Sequence, residues 1–475
     1  MIVLMIAIFL IGYALIAMEH PLRINKAGVA LFIGSLLWVI YMYVAPEIVP
    51  KISEETFRHF VENHDLTEHS FIEQIRNFVI NHQILEDLGD IMETILFLMG
   101  AMTIVELIDS HGGFMYITEH ITTRNKKKLL WIVSAITFFM SALLDNLTTT
   151  IVMVMLMRRI LTERQERWLF GSIIVLAANS GGAWSPIGDV TTIMLWVKGN
   201  VTVAITPSLI LPSIVSLVIP VLIAQTFIKG RLSGQTGKET NDEHHALIEN
   251  LQDTERLGIL IFGIGILVLT PVFKIITHLP PFIWLLLGMS LLWILTEIIY
   301  NRKRHMQEDS KMRLTKVLGR LDFATLMFFL GILMAVDALK NAGILSGLSA
   351  YMAQHMPNVY AQGFTIGILS SIVDNVPLVA AAIGMYPVID PATITTASNA
   401  AFMQNFVVDG TFWHFLAYCA GVGGSILVIG SAAGVILMGL EGVSFGWYLK
   451  KISLMALIGY VGGAAVFILQ NMILH

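Results

Sequence analysis

The chain has 475 residues, of which 56% are hydrophobic and 13% charged, where a water-soluble domain carries about 25% charged residues. A net charge of −5 with no long basic tract gives no sign of a nucleic-acid partner, and a single cysteine, Cys419, excludes an internal disulfide and a thiolate metal cluster. Apolar runs near membrane-spanning length recur throughout, so the chain reads as an all-α polytopic membrane protein.

In chain order the apolar segments fall at 2–18, 27–46, 91–108, 129–157, 168–197, 207–228, 257–276, 282–300, 322–339, 363–386, 411–438 and 445–471. Residues 2–18 lack a basic leading region and a small-residue cleavage site, so they are expected to remain as a first span. The organisation that follows is two N-terminal spans in 1–46, an acidic extracytoplasmic segment 47–90, a first repeat 91–228 and a polar cytoplasmic loop 229–256. Linking spans 257–300, a basic cytoplasmic loop 301–321 and a second repeat 322–471 complete it.

Orientation comes from Arg23 with Lys26, RNKKK (124–128), MRRILTERQER (157–167), IKGR (228–231), NRKRH (301–305) and KVLGR (316–320), because short basic loops stay in the cytoplasm. Both flanks of 129–157 are basic. That segment must therefore enter and return on one side, and it is too short for two full spans. The expectation is a re-entrant hairpin whose turn falls at Asp145–Thr148, where non-helical backbone requires protein packing or a water-filled cavity. His59, His64, His69 and His82 on the acidic segment and His244 and His245 in the polar loop could titrate near neutral pH; they read as surface residues.

Three blocks recur in the same order. LFLMGAMTIVELIDSHGG (96–113) aligns with MFFLGILMAVDALKNAGI (327–344), matching Gly100 to Gly331 and Glu106 to Asp337. SALLDN (141–146) aligns with SSIVDN (370–375) at an offset of 229. NSGGAWSPIGDVTT (179–192) aligns with GVGGSILVIGSAAG (421–434) at an offset of 242. The charge signs send 91–108 inward and 322–339 outward. The expected fold is therefore an inverted-repeat secondary transporter with two re-entrant hairpins and two discontinuous transmembrane helices. The helices 168–197 and 411–438 would unwind around Gly181, Gly182 and Gly188, and around Gly423, Gly424 and Gly430. Pro377, which lacks a donor N–H, would hold the second tip open.

A carboxylate at mid-membrane costs about 2.5–3.5 kcal/mol on insertion scales, so such residues are usually functional or paired. Asp145, Asp189 and Asp374 fall in the expected core, with no Lys or Arg in either hairpin or either broken centre. Oxygen ligands for a small hard cation surround them: Asn146, Thr148, Thr149, Thr150, Ser180, Ser185, Thr191 and Thr192 from one half, Asn375, Ser425 and Ser431 from the other. Asp145, Asn146, Asp374 and Asn375 would contact the metal ion. A partly desolvated carboxylate can hold either a proton or a cation, which suggests exchange by competition, with Glu106 and Asp337 as further coupling candidates. Structural roles stay open: helix caps for the aspartates, packing for Ser425 and Ser431, and buried supports for Glu106 and Asp337. The sequence contains no phosphate loop, haem motif or metalloprotease signature, so neither a cofactor nor an enzymatic activity is expected.

SALLDNLTTTIVM, ANSGGAWSPIGDVTTIMLW and SSIVDNVPLVAA, supported by LFLMGAMTIVELI, resemble the NhaD family of sodium/proton antiporters over about residues 90–470. The resemblance implies a bacterial inner-membrane exchanger of Na+ or Li+ for H+, a homodimer within the ion transporter superfamily. It also places Asp145, Asn146, Asp374 and Asn375 at opposing hairpin tips. Asp189 has no acidic counterpart in the second half, which argues against equal ion sites. A sodium-coupled dicarboxylate or other anion symporter of the same superfamily is the alternative, followed by a cation channel.

Overall fold

The structure, a computed structural model, describes residues 1–18, 22, 24–113, 123, 125–228, 230, 251–303, 311–372, 374–394 and 400–474. Arg23, Arg124, Lys229, Arg231, Arg304, His305, His244 and His245, with most of the 229–256 loop, lie outside the described residues.

The elements among the described residues are helices, and eight are long and apolar enough to cross a bilayer, making this a polytopic all-helical membrane protein. Most of them meet the expected spans within a few residues. One N-terminal helix, Lys26–Ile52, runs past the expected end at 46 and contains Pro46 and Pro50. Its buried face continues through Ile48 and Val49, so packing outweighs the local cost of the prolines. The segment assigned to the outside, 47–90, is itself mostly helical: Glu54–Asn63 and Phe71–Phe78 lead through a π-helical turn, Val79–Ile84, into Leu85–Ser110. The last apolar segment begins as a short helix, Phe445–Lys451, bent by 116° from the preceding Ala432–Glu441; Ser453–Leu474 is the long helix that follows.

The chain forms two compact units. The first comprises Met1–Leu96, Asp322–Gln362 and Val376–Val407. Its centre is the crossing of Lys26–Ile52 with Phe323–Asn341. There a Cβ on Gly34 would lie 2.4 Å from the Gly331 carbonyl oxygen, and one on Gly331 would lie 2.3 Å from the Leu31 nitrogen. Two facing glycines let the backbones touch, the usual device for helix pairs in a membrane. In the same unit Tyr41 donates to Gln83 Oε1 (3.0 Å), and Asn341 donates to Asp87 Oδ2 (2.6 Å).

The second unit comprises Phe97–Leu321, Gly363–Asn375 and Val408–His475. Ile205–Ala224 packs along Ser453–Leu474, where a Cβ on Gly459 would meet the Ser216 carbonyl oxygen at 2.3 Å and one on Gly463 the Pro212 carbonyl oxygen at 2.4 Å. Four interruptions of helix mark this unit. Asp145 separates Lys126–Leu144 from Asn146–Ile160, and residues 184–189 separate Arg164–Ala183 from Val190–Val197. The turn at Ser371 and Ile372 follows Val359–Ser370 ahead of Asn375–Met385, and residues 424–431 separate Thr411–Gly423 from Ala432–Glu441.

Candidate functional site

Asp145 stands at the first interruption with φ 82° and ψ 159°, a conformation that is essentially reserved for glycine and costs about 1–3 kcal/mol elsewhere. Its carboxylate caps the next helix: the Thr148 N–H donates to Oδ1 (2.7 Å) and the Thr148 hydroxyl to Oδ2 (3.1 Å). Asn146 is buried one residue on. The Thr149 hydroxyl is buried without a hydrogen-bond partner among the described residues, while Thr150 returns its hydroxyl to the Asn146 carbonyl (2.7 Å).

Residues 126–144 pack against the first interrupted helix through contacts that recur in the other half. The Ser141 hydroxyl donates to the Ala178 carbonyl (2.6 Å), and the Ser370 hydroxyl donates to the Ala420 carbonyl (2.9 Å). A Cβ on Gly181 would strike the Phe138 carbonyl oxygen at 2.2 Å, and one on Gly423 the Gly367 carbonyl oxygen at 2.3 Å. Each pair is related by the offsets of 229 and 242 read from the sequence. Gly181, Gly182 and Gly423 therefore do not unwind their helices as expected. They lie in the last helical turns, where absence of a side chain admits a neighbouring backbone, and unwinding starts only at Trp184 and Gly424. Gly182 and Gly424 receive the returning loops, with the Gly188 and Gly430 carbonyl oxygens 2.5 and 2.9 Å from their would-be Cβ atoms.

The interruptions end alike. Asp189 (φ −145°, ψ 151°) and Ser431 (φ −142°, ψ 151°) each precede the second half-helix. Asp189 is 2% exposed. Its Oδ2 accepts from the Thr191 hydroxyl (3.1 Å) and from Asn375 Nδ2 (3.0 Å), while Thr192 holds its backbone, donating to the Asp189 carbonyl (2.9 Å) and accepting from its N–H (3.2 Å). Asp374 is half-buried next to the buried Asn375, whose amide reaches Asp189. Ser431 Oγ accepts from the Gly434 N–H (3.3 Å) and from Asn179 Nδ2 (2.9 Å).

Asn179, fully buried, was not among the ligands expected. It accepts from Asn146 Nδ2 on Oδ1 (3.0 Å) and donates to Ser431, tying the first junction to the second interrupted helix. The signal was present in the repeat, where Asn179 aligns with Gly421. Ser180 bonds to Ser216 (2.9 Å), and Ser185 accepts from the Ile187 N–H (3.4 Å). Ser425 returns its hydroxyl to Val422 (2.6 Å), its own carbonyl accepting from Tyr448 (2.8 Å). Glu106 accepts from Ser110 (3.0 Å) and lies 3.9 Å from Arg320. Asp337 belongs to the first unit. Among the described residues no group of three His, Cys, Asp or Glu side chains is placed to hold a metal ion. The gathered donors are mixed carboxylate, amide and hydroxyl oxygens, a set suited to hard cations.

The two interrupted helices lie with opposite ends together. At one end Glu441, the last residue of the second, pairs with Arg158 (3.1 Å) and with Arg167 (2.8 Å), at the start of the first; Trp168 donates to the Glu441 carbonyl (3.0 Å). At the other end Asp409, ahead of the second, accepts from the Thr202 N–H (2.7 Å) and hydroxyl (2.6 Å), beyond the first, and contacts His414 Nε2 (3.2 Å). These ties hold two half-helix pairs around the buried carboxylates.

Interrupted helices around buried acidic groups, in a multi-pass helical chain, define a membrane transport protein rather than an enzyme. The chain matches the family model described as citrate transporter, CitMHS, over residues 13–404. It is 41% identical to sodium/proton antiporter 1 of Arabidopsis thaliana over 98% of this chain and 72% of that protein. It is 38% identical to sodium/proton antiporter 2 of the same plant (98% of each chain), and 28% identical to the Na(+)/H(+) antiporter NhaD of Alkalimonas amylolytica (98% and 90%). A solved structure of Neisseria gonorrhoeae MtrF aligns with TM-score 0.47 and 11% identity over 82% of this chain and 83% of that one. The chain belongs to the CitMHS family and, within it, to the NhaD-type antiporters.

Proposed function

We propose that the protein is a sodium/proton antiporter that exchanges cytoplasmic Na+ or Li+ for external H+ by competition at Asp189, Asp374 and Asp145. The observation that carries this reading is the Asp189 carboxylate, buried at an interrupted helix and bonded to Asn375 next to Asp374. Such a carboxylate is costly to ionise in a membrane interior and is relieved by either a cation or a proton. If only a singly occupied site reorients, competition alone couples the two ions.

An inverted repeat with re-entrant hairpins at Asp145 and Asp374 is the architecture we assign. The contacts repeated at the two sequence offsets and the opposite-end pairing of the interrupted helices support it. Alternating access would then follow from motion of one part against the other. Asn146, Thr148, Thr149, Ser180, Ser185, Thr191, Thr192, Ser425 and Ser431 supply or orient oxygen ligands; Glu106 and Asp337 are assigned supporting roles. We place a homodimer in a bacterial inner membrane, with the basic connections on the cytoplasmic face. The family description keeps anion symport as a second reading. A buried carboxylate disfavours an anion beside it unless a cation binds first.

Reconstitution into liposomes with an acidic lumen and a lumenal pH reporter tests the reading. External Na+ or Li+, with no organic anion, should discharge the gradient. A requirement for citrate or a dicarboxylate would replace antiport with symport. Ion flux independent of the proton gradient would indicate a channel.

A further inference from the structure

The two halves supply equivalent positions but not equivalent chemistry. In one set, Asn146, Asn179 and Ser431 form a closed chain: the Asn146 amide donates to Asn179, Asn179 to Ser431, and Ser431 also accepts the Gly434 N–H. All three side chains are neutral, and the carboxylate next to them, Asp145, is engaged by the Thr148 N–H and hydroxyl. The corresponding positions of the other set, at offsets of 229 and 242, are Asn375, Gly421 and Asp189. Here the middle residue has no side chain, and Asn375 reaches the end residue directly, at 3.0 Å. The end residue is a carboxylate. The nearest atoms to a would-be Cβ on Gly421 are Ala183 Cβ (3.1 Å), Ala183 Cα (3.5 Å) and Asp189 Oδ2 (3.6 Å). No side chain stands between Asn375 and Asp189 in the second set, where Asn179 stands between Asn146 and Ser431 in the first.

We infer that the protein has one cation seat, at Asp189 beside Asn375 and its neighbour Asp374, and that Gly421 is the residue that lets Asn375 reach Asp189 directly; Asn179 occupies the equivalent position in the other half. This rests on the antiport reading and adds the number of ions and the residue that sets it. The Asn179 amide presents N–H donors where a cation would otherwise sit, so duplication of the fold does not duplicate the site. Gly421 acts through Asp189 and is a positioning residue.

The test is sodium binding to the purified full chain, measured at equilibrium by calorimetry and by retained 22Na+. The expected result is one Na+ per chain, and one Na+ per chain again in Asn179→Ala, whose opened position carries no charge. Gly421→Ser, combined with Ala183→Gly to remove the 3.1 Å contact, should weaken Na+ binding about 10- to 100-fold, the usual cost of disturbing a ligand's surroundings. Ala183→Gly alone is the packing control and should bind like the parent. Two Na+ per chain in the parent would overturn the single seat, and undiminished affinity in the double variant would overturn its location. No sodium binding by the folded parent would instead defeat the antiport reading itself.

Discussion

Asn375 Nδ2 lies 3.0 Å from Asp189 Oδ2, joining the junction of the second half to the interrupted helix of the first across 186 residues of sequence. The bond orients a carboxylate that is 2% exposed. Neutralising that carboxylate should remove the site and leave its surroundings in place. Asp189→Asn is nearly isosteric and can still accept from Thr191. It should fold, run as the parent on size exclusion, and lose Na+-driven proton movement by about 100-fold or more in liposomes.

Asp145 gives a different balance. Its backbone strain of about 1–3 kcal/mol exceeds what its cap on Thr148 returns relative to glycine, a few tenths of a kcal/mol. Asp145→Gly should therefore raise the melting temperature of the purified protein while abolishing exchange. A residue kept against its own backbone preference is the expected signature of a functional group. A lower melting temperature would mean that the carboxylate is chiefly structural.

Glu441 is buried between two arginines, and one of these, Arg158, is 43% exposed. Glu441→Ala leaves Arg167 without its partner and should destabilise by about 3 kcal/mol, typical for breaking a buried pair. Arg158→Ala should cost less than about 1 kcal/mol, because water already screens that arm. Denaturant or thermal melts of the two variants in one detergent make the comparison.

Asp409 ties the opposite end and titrates in the acid range. Partial burial favours its neutral form, but hydrogen bonds from His414 and Thr202 outweigh this and hold the carboxyl below its ordinary value of 3.8. A depressed folded-state value contributes stability above the unfolded value and loses it as pH falls through the folded one. The melting temperature of the parent should therefore exceed that of Asp409→Asn by a constant margin at neutral pH. The margin should shrink only below about pH 4. A margin that grew with acidification would reverse the sign.

Much of this arrangement was legible in the sequence because a membrane leaves few alternatives: apolar runs gave the spans, and polar residues inside them marked the interruptions. Close-packed glycines were legible because such packing fixes them; Gly331 lies on Leu31, and Gly100 would bring a Cβ within 3.1 Å of Leu285 Cβ. The extent of unwinding was not legible, because a glycine that admits a neighbouring backbone looks the same in sequence as one that breaks a helix. Gly181 and Gly423 do the former. The role of Asn179 was not legible, because it depends on two partners from distant segments, Asn146 and Ser431. The Asp409 and Glu441 ties likewise join residues more than 200 positions apart.

The most direct test of competition at the buried carboxylates is the apparent KM for Na+ measured across pH in liposomes. If proton and cation share the seat, KM should fall as pH rises, about tenfold per unit where the seat is mainly protonated, with the maximal rate at saturating Na+ little changed. A KM for Na+ independent of pH, with only the maximal rate varying, would contradict it and require separate sites for the two ions.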